Sequence, residues 1–103
     1  MIVQGVFRID PALRDQFLAQ SVETMNTSRA EKGCLEYVMA ADPVEPDRIV
    51  LSERWETSDD LNEHVRALTK RRAEAAESED PAGVQPTHRE ITMYEVTSAQ
   101  QMG

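Results

Sequence analysis

Three residues whose side chains suit proton transfer or ligand binding stand close together in the sequence: Glu53, Trp55 and His64. Glu53 alternates with Ile49 and Leu51, so it points to a mostly apolar face if this segment is a β-strand. A buried carboxyl group needs a partner or keeps its proton, because burial disfavours the charged form. Histidine is the side chain best matched to proton transfer near neutral pH. We therefore interpret His64 and Glu53 as candidate catalytic residues, with His64 as a base that Glu53 orients.

Purely structural roles are the alternative for these residues. The carboxylate of Glu53 would then be satisfied by a neighbour in the sheet, by Arg54 or by Arg89. Trp55 would be an ordinary core residue. His64, at the edge of an apolar helical stripe, would be a partly exposed helix residue.

Four aromatic side chains are candidates for the walls of a substrate pocket, because ring faces stack on flat aromatic ligands. They are Phe17, Tyr37, Trp55 and Tyr94. This set predicts a small aromatic substrate.

The sequence lacks the patterns that hold metals and cofactors. It has two histidines and one cysteine, so no metal-ligand spacing appears and no intramolecular disulfide is possible. That cysteine, Cys34, lies in an apolar strand pattern and is interpreted as a small core residue. No phosphate-binding loop, dinucleotide fingerprint or serine or cysteine nucleophile motif is present. We therefore expect no metal and no cofactor, so that the substrate itself would supply any redox chemistry.

Charge and hydropathy exclude some classes of binding partner. The formal net charge of -8 disfavours a nucleic-acid partner, because phosphate binding needs a concentrated basic surface. No apolar run approaches the roughly 20 residues that span a bilayer. The N-terminal segment MIVQGVFRID is too short and too quickly polar for a signal peptide. We expect a cytoplasmic protein without a membrane partner.

The order of predicted elements is β-α-β-β-α-β. Strands are predicted at residues 2–9, 34–40, 48–55 and 88–97, on the basis of β-rich apolar segments between turn signals. One helix starts at Asp10-Pro11 and ends at Lys32-Gly33, and the other starts at Thr57-Ser58 and runs to about residue 79. The first helix has an apolar face made of Leu13, Phe17, Leu18, Val22 and Met25.

This order predicts an α+β, ferredoxin-like fold, in which a four-stranded antiparallel sheet carries two helices on one face. We expect a single domain over residues 1–97 and a C-terminal tail over residues 98–103. Apolar residues occur on both faces of the predicted strands, and two helices cover only one face. Soluble monomers rarely expose so large an apolar patch. The pattern therefore predicts a homodimer in which two sheets pack face to face.

Several short motifs together resemble the antibiotic biosynthesis monooxygenase family. They are Glu31-Lys32-Gly33-Cys34 before a strand that bears Tyr37, the turn Asp42-Pro43, the segment Ser52-Glu53-Arg54-Trp55 and then His64 about nine residues on. The resemblance spans about residues 2–97 and depends on the order and spacing of the motifs. It implies a dimeric α+β barrel with a pocket between helices and sheet in each protomer.

The resemblance also implies a set of activities. Family members include cofactor-independent monooxygenases that convert hydroquinones or anthrone-like phenols into quinones with O₂. Other members degrade haem, isomerise a small ketone or have no assigned activity. The haem-degrading branch uses an Asn on strand 1, which this chain lacks, since its two asparagines are Asn26 and Asn62. Many members have a second His about five residues after the first, where this chain has Thr69.

Three functions follow as hypotheses. The first is a cofactor-independent monooxygenase that oxidises a phenolic, hydroquinone or anthrone-type substrate with O₂ to a quinone. The second is a dimeric small-molecule-binding or stress-response barrel without turnover. The third is an isomerase of a small polar ketone, which three methionines disfavour because they predict an apolar pocket: Met25, Met39 and Met93.

Overall fold

The computed structural model describes residues 1–76 and 83–103. Its elements are β1 (Ile2–Arg8), α1 (Arg14–Arg29) after a 3₁₀ turn at Pro11–Leu13, β2 (Cys34–Ala41), β3 (Arg48–Trp55), α2 (Ser58–Ala76) and β4 (His88–Tyr94). The four strands form one antiparallel sheet in the order β2-β3-β1-β4, so the two central strands are β3 and β1. The predicted ferredoxin-like α+β fold is confirmed.

Most predicted element boundaries lie close to the observed ones. Asp10 caps the turn before α1, where its carboxylate accepts a hydrogen bond from the Ala12 amide at 2.9 Å. Thr57 caps α2 in the same way, and its hydroxyl accepts from the Asp60 amide at 3.1 Å. Three ends differ or cannot be compared. α1 ends at Arg29 instead of at Lys32-Gly33. β4 ends at Tyr94 instead of residue 97, and the predicted end of α2 near residue 79 lies outside the described residues.

Gly33 makes the turn between α1 and β2. Its φ angle is +80°, in the left-handed region that side chains with a Cβ rarely adopt. A Cβ built on Gly33 would also collide with the carboxylate of Asp60, which lies in the first turn of α2. The backbone amide of Glu56 donates to the Gly33 carbonyl at 2.9 Å. The start of α2 is thereby held against the end of the first βα unit.

The core lies between the sheet and the helices. Side chains at alternate strand positions point to this face and are buried, among them Val3 and Phe7 of β1 and Ile49, Leu51 and Trp55 of β3. Alternation on β3 therefore follows the sequence prediction, and β1 alternates in the same way.

The apolar face predicted for α1 is only partly correct. Phe17, Leu18 and Met25 pack against the core, whereas Leu13 and Val22 are exposed. The residues of α1 that are buried are Ser21 and Ser28. Burial of Ser21 is tolerated because its hydroxyl donates to the Phe17 carbonyl at 2.8 Å. Apolar residues alone therefore do not define which side of α1 meets the sheet.

A β-bulge reverses the facing of the first residue of β2. Cys34 pairs with Trp55 and Glu36 pairs with Arg54, so Leu35 is the extra residue between them. Strict alternation predicts Leu35 on the same face as Tyr37, with Cys34 opposite. In the structure Cys34 packs against the core and Leu35 is 52% exposed. The interpretation of Cys34 as a small core residue agrees with this placement.

The second face of the sheet carries a mixed surface. Val6 of β1 pairs with Val50 of β3 near its centre, and Ile2 pairs with Tyr94 of β4. The carboxylate of Glu36 on this face accepts a hydrogen bond from the Ser52 hydroxyl at 2.6 Å. No element among residues 1–76 and 83–103 packs over this face.

Candidate active site

Residues from four parts of the chain meet at one end of the core. Glu53 and Trp55 lie on β3 and point to the helices because they share parity with buried Ile49 and Leu51. Tyr37 lies beside Glu53, its direct partner in the β2–β3 pairing. Two other residues complete the group: His64 comes from the second turn of α2, and Glu31 comes from the turn that follows α1.

His64 is almost completely buried, with 2% of its surface exposed, and carboxylates approach both of its ring nitrogens. Its Nδ1 lies 2.7 Å from Glu31 Oε1, which is hydrogen-bond distance. Its Nε2 lies 3.7 Å from Glu53 Oε1, which is too long for a direct hydrogen bond. A carboxylate only accepts, so His64 Nδ1–H donates to Glu31. The lone pair of the neutral ring is then on Nε2.

Two aromatic rings hold the imidazole of His64 in place. The Trp55 ring lies against it at a centroid distance of 4.7 Å and an interplanar angle of 32°. The Tyr37 ring meets it edge-on at 5.4 Å and 60°. The hydrogen bond to Glu31 and these two contacts fix the ring plane from different directions. Such support preorganises a proton-transferring group.

Glu53 accepts a hydrogen bond from Trp55 Nε1 at 3.0 Å. Burial raises the pKa of Glu53 above its ordinary value of 4.5. The Trp55 hydrogen bond and the charge of His64 oppose this shift, and the negative charge of Glu31 adds to it. Burial dominates, so Glu53 keeps its proton to a higher pH than an exposed glutamate.

The phenol of Tyr37 is also buried, and its pKa is raised to about 12. Burial is the main cause, and the nearby charge of Glu53 adds to it. The charges of Arg72 and Arg71 act in the opposite direction. Tyr37 is therefore a neutral wall and hydrogen-bond donor near pH 7, and not a base.

A cavity of about 700 Å³ extends from this group along the space between helices and sheet. This volume lies in the range of small-molecule sites. Phe7 and Phe17 line it and contact each other edge to face, with ring centroids 6.1 Å apart. Ile91 and Met93 of β4 line it on the other side, and they are 51% and 58% exposed. The cavity therefore opens to solvent over the edge strand.

The structure brings together most, but not all, of the residues that we predicted for the site. His64, Glu53, Tyr37 and Phe17 all border the cavity. Trp55 does not line it, because its ring is packed behind His64 with 1% of its surface exposed. Trp55 thus contacts the imidazole and the Glu53 carboxylate instead of the cavity space.

Tyr94 is placed on the opposite face of the sheet. It pairs with Ile2 and lines a shallow surface depression with Gln4, away from the cavity. Met93, its neighbour in the chain, points to the other face and lines the cavity.

The residue that sequence reasoning missed is Glu31. It is part of the Glu-Lys-Gly-Cys motif that carries the family resemblance, but its contact with residue 64 is not readable from spacing. Sequence reasoning assigned the orienting role to Glu53, whereas the carboxylate in hydrogen-bond contact with His64 is that of Glu31.

The arrangement can bind a flat, mostly apolar molecule and accept a proton from it.

Within residues 1–76 and 83–103, no group of three His, Cys, Asp or Glu side chains is arranged to hold a metal ion. In the same part of the chain no helix is long and apolar enough to cross a membrane.

Known structures share this fold at low sequence identity. A candidate antibiotic biosynthesis monooxygenase from Deinococcus radiodurans matches with a TM-score of 0.79 and 21% identity, over 99% of this chain and 97% of that chain. PA3566 from Pseudomonas aeruginosa matches with a TM-score of 0.69 and 18% identity, over 92% of each chain. A mutant of MhuD, with two manganese protoporphyrin IX molecules bound per active site, matches with a TM-score of 0.73 and 10% identity over 97% of each chain.

No curated protein matches the chain significantly. The sequence model of the family described as antibiotic biosynthesis monooxygenase matches residues 1–76, which include β1 to α2 and four residues around the His64 ring: Glu31, Tyr37, Glu53 and Trp55. The chain therefore belongs to the antibiotic biosynthesis monooxygenase family, and this membership supports a monooxygenase-like function.

Proposed function

We propose that the protein is a cofactor-independent monooxygenase that oxidises a phenolic, hydroquinone or anthrone-type aromatic substrate with O₂ to a quinone. The observation that carries the proposal is the buried His64. Its Nδ1 lies 2.7 Å from Glu31 Oε1, and the residue borders a cavity of about 700 Å³. An oriented histidine beside an apolar cavity is the arrangement that proton abstraction from a bound phenol requires.

The first step is removal of the phenolic or enolic proton. Glu31 holds the Nδ1 proton of His64, so Nε2 carries the lone pair that accepts the substrate proton. The negative charge of Glu31 then stabilises the imidazolium that forms. Glu53, with its raised pKa, lies 3.7 Å from Nε2 and stands at the place where the substrate hydroxyl would approach. Glu53 is therefore proposed to position the substrate hydroxyl.

The electrons that reduce O₂ come from the substrate. The anion transfers one electron to O₂, and the resulting superoxide and organic radical combine to form a carbon–oxygen bond. The peroxide then loses the remaining proton on that carbon, and its O–O bond breaks. The products are a new carbonyl group and water, so one oxygen atom enters the quinone and the other leaves as water. The protein binds, deprotonates and shields the substrate.

A planar substrate is consistent with the shape of the cavity. Phe7 and Phe17 present ring surfaces to it, and Leu51 on the sheet side is apolar. The fold is also that of MhuD, which in the matched structure holds planar porphyrins. A haem ligand is not proposed for this chain, because the haem-degrading branch uses an Asn on strand 1 and β1 contains none.

We also propose that the protein works as a homodimer through the second face of its sheet. Val6 and Val50 pair at the centre of this face, and Ile2 and Tyr94 pair near one end. Sheet-on-sheet packing of an identical copy about a two-fold axis would bury these residues. Multi-angle light scattering at micromolar concentration is expected to give twice the chain mass of 11.6 kDa. A mass of one chain would contradict the homodimer.

Oxygen uptake tests the proposed activity. Metal-stripped protein is incubated with a panel of hydroquinones and anthrones, with His64→Ala beside the wild type and His88→Ala as the matched control. His88 is the chain's other histidine, exposed on β4. We expect uptake that survives chelation, falls roughly 10²–10⁴-fold in His64→Ala and is unchanged in His88→Ala. Uptake no faster than buffer across the panel would contradict the proposal, and saturable binding without uptake would favour a binding protein.

A further inference from the structure

Three arginines line the cavity and form no ion pair with a carboxylate of residues 1–76 and 83–103. They are Arg71 and Arg72 of α2 and Arg89 of β4. No described carboxylate forms an ion pair with any of them, although the chain carries a net charge of -8. Other arginines do pair with acidic side chains, as the contacts of Arg8, Arg14, Arg48, Arg54 and Arg66 show.

The surroundings of the three arginines also distinguish them from the arginines that form ion pairs. The Nη2 atom of Arg71 is buried and has no hydrogen-bond partner. The guanidinium of Arg89 lies 5.9 Å from the centroid of the Phe7 ring and donates to Gln85 at 3.1 Å. Burial and the charge of Arg72 lower the pKa of Arg89. The positive charges of Arg72 and Arg89 repel each other, as the effect of Arg72 on the pKa of Arg89 indicates.

The acidic side chains that line the cavity do not relieve this repulsion. They are Glu53, which belongs to the His64 group, and Glu23, which is exposed on α1. Neither pairs with an arginine among the described residues. An anionic group of a ligand would supply the missing charge and the missing hydrogen-bond acceptor.

The helix sets the distance between the base and the arginines. Arg71 follows His64 by seven residues, which is close to two turns, so both lie on one side of α2. Seven residues of α-helix rise by about 10 Å. Leu68 lies between them on the same side and also lines the cavity. This rise along the helix axis is comparable to the long axis of a fused tricyclic ring system.

We propose that the substrate carries a carboxylate at the end opposite the reacting hydroxyl, and that Arg71, with Arg72 and Arg89, binds it. This inference rests on the proposed function, because it deepens the substrate class of the same site. A planar carboxylate accepts two parallel hydrogen bonds from a guanidinium and is ionised at neutral pH. The arginines thus select and orient the ring system, while His64 acts at the other end.

Binding of a stable, product-like pair of ligands tests this inference without turnover. Anthraquinone-2-carboxylate and its neutral carboxamide have the same ring system and differ in the charge at one end. Isothermal titration calorimetry gives the Kd of each ligand with the wild type, with Arg71→Gln and with Arg71→Gln/Arg89→Gln. Arg66→Gln is the matched control, because Arg66 is an exposed arginine of the same helix that does not line the cavity. Circular dichroism confirms that each variant is folded.

We expect the wild type and Arg66→Gln to prefer the carboxylate by about 10-fold or more. The preference should fall below about 3-fold in Arg71→Gln and vanish in the double variant. Equal affinity of the wild type for both ligands, no binding of either, or a preference that survives in the double variant would overturn the inference. Carboxylate preference without oxygen uptake would contradict only the proposed activity and would support the carboxylate site. Oxygen uptake without carboxylate preference would contradict only the carboxylate site and would support the proposed activity.

Discussion

His64 Nδ1 lies 2.7 Å from Glu31 Oε1, whereas Glu53 Oε1 lies 3.7 Å from Nε2 of the same ring. Glu31 is separated from His64 by 33 positions and reaches it because the chain reverses at Gly33 and α2 starts beside that turn. One carboxylate thus fixes the tautomer of the imidazole, and the other faces the nitrogen that would accept a proton. This division of roles leads to the first two predictions.

Glu31→Ala is expected to lower kcat for the proposed oxidation by about 10-fold or more with little change in KM, because Glu31 positions the base and does not touch the substrate. The Nδ1–H tautomer of His64 should also lose its dominance in ¹⁵N NMR spectra, a change that mere loss of stability would not produce. Glu63→Ala, an exposed acidic residue of α2, is the control. Unchanged tautomer and kcat in Glu31→Ala would contradict the positioning role.

Glu53→Gln is expected to gain stability relative to the wild type as pH rises. Below about 4.5, the ordinary pKa, Glu53 is protonated in both folded and unfolded states. Above it the unfolded chain loses this proton first, because burial raises the folded pKa, so the wild-type free energy of unfolding falls as pH rises through the raised value. The Gln amide has no such loss, and its oxygen still accepts from Trp55. Urea denaturation of both proteins from pH 4 to 8 measures the difference, and a constant difference would contradict the raised pKa.

Tyr37 is expected to ionise near pH 12 in the folded protein. An unfolded chain releases this proton from about pH 10, so the free energy of unfolding should fall as pH rises from about 10 to 12. Ultraviolet absorbance of tyrosinate follows the ionisation. Tyr37→Phe should remove the late transition, and Tyr94→Phe should keep it. A wild-type titration complete by pH 11 would show that the phenol is not buried.

Much of this fold is readable from the sequence because its signals are local. The Asp10-Pro11 and Thr57-Ser58 caps and the left-handed Gly33 set element boundaries within a few residues of the observed ones. Alternation on β3 correctly placed Glu53 and Trp55 on the same face as Ile49 and Leu51, whereas the sequence left open which face of the sheet that is. These features depend on residues that are close to each other in the sequence, so they can be predicted from it.

The sequence was less informative where the answer depends on pairing between distant segments. The bulge at Leu35 turns Cys34 to the core, and nothing in the local pattern marks it. The facing of Tyr94 follows from its register against Ile2, and the partner of His64 follows from the position of Glu31 after the fold has closed. Tertiary register therefore determined the parts of the site that spacing could not reveal.

Gly33→Ala is expected to lower the free energy of unfolding by at least about 1 kcal/mol, because alanine is strained at a φ of +80°. The added Cβ would also collide with Asp60 and displace the start of α2 that carries His64. Gly103→Ala is the control, since nothing lies within 4 Å of its added Cβ. Urea denaturation measures both variants, and equal stability of Gly33→Ala and the wild type would contradict the strained turn.

Oxidation of an anthrone under ¹⁸O₂ in metal-stripped solution tests whether the protein is a cofactor-independent monooxygenase. Mass spectrometry of the quinone reports whether one labelled atom enters the product, and the initial rate reports whether the protein accelerates that step. We predict one ¹⁸O atom per quinone, formed at a rate that survives chelation and falls roughly 10²–10⁴-fold in His64→Ala. Quinone formed no faster than in buffer, or a rate that is equal in His64→Ala and the wild type, would contradict it.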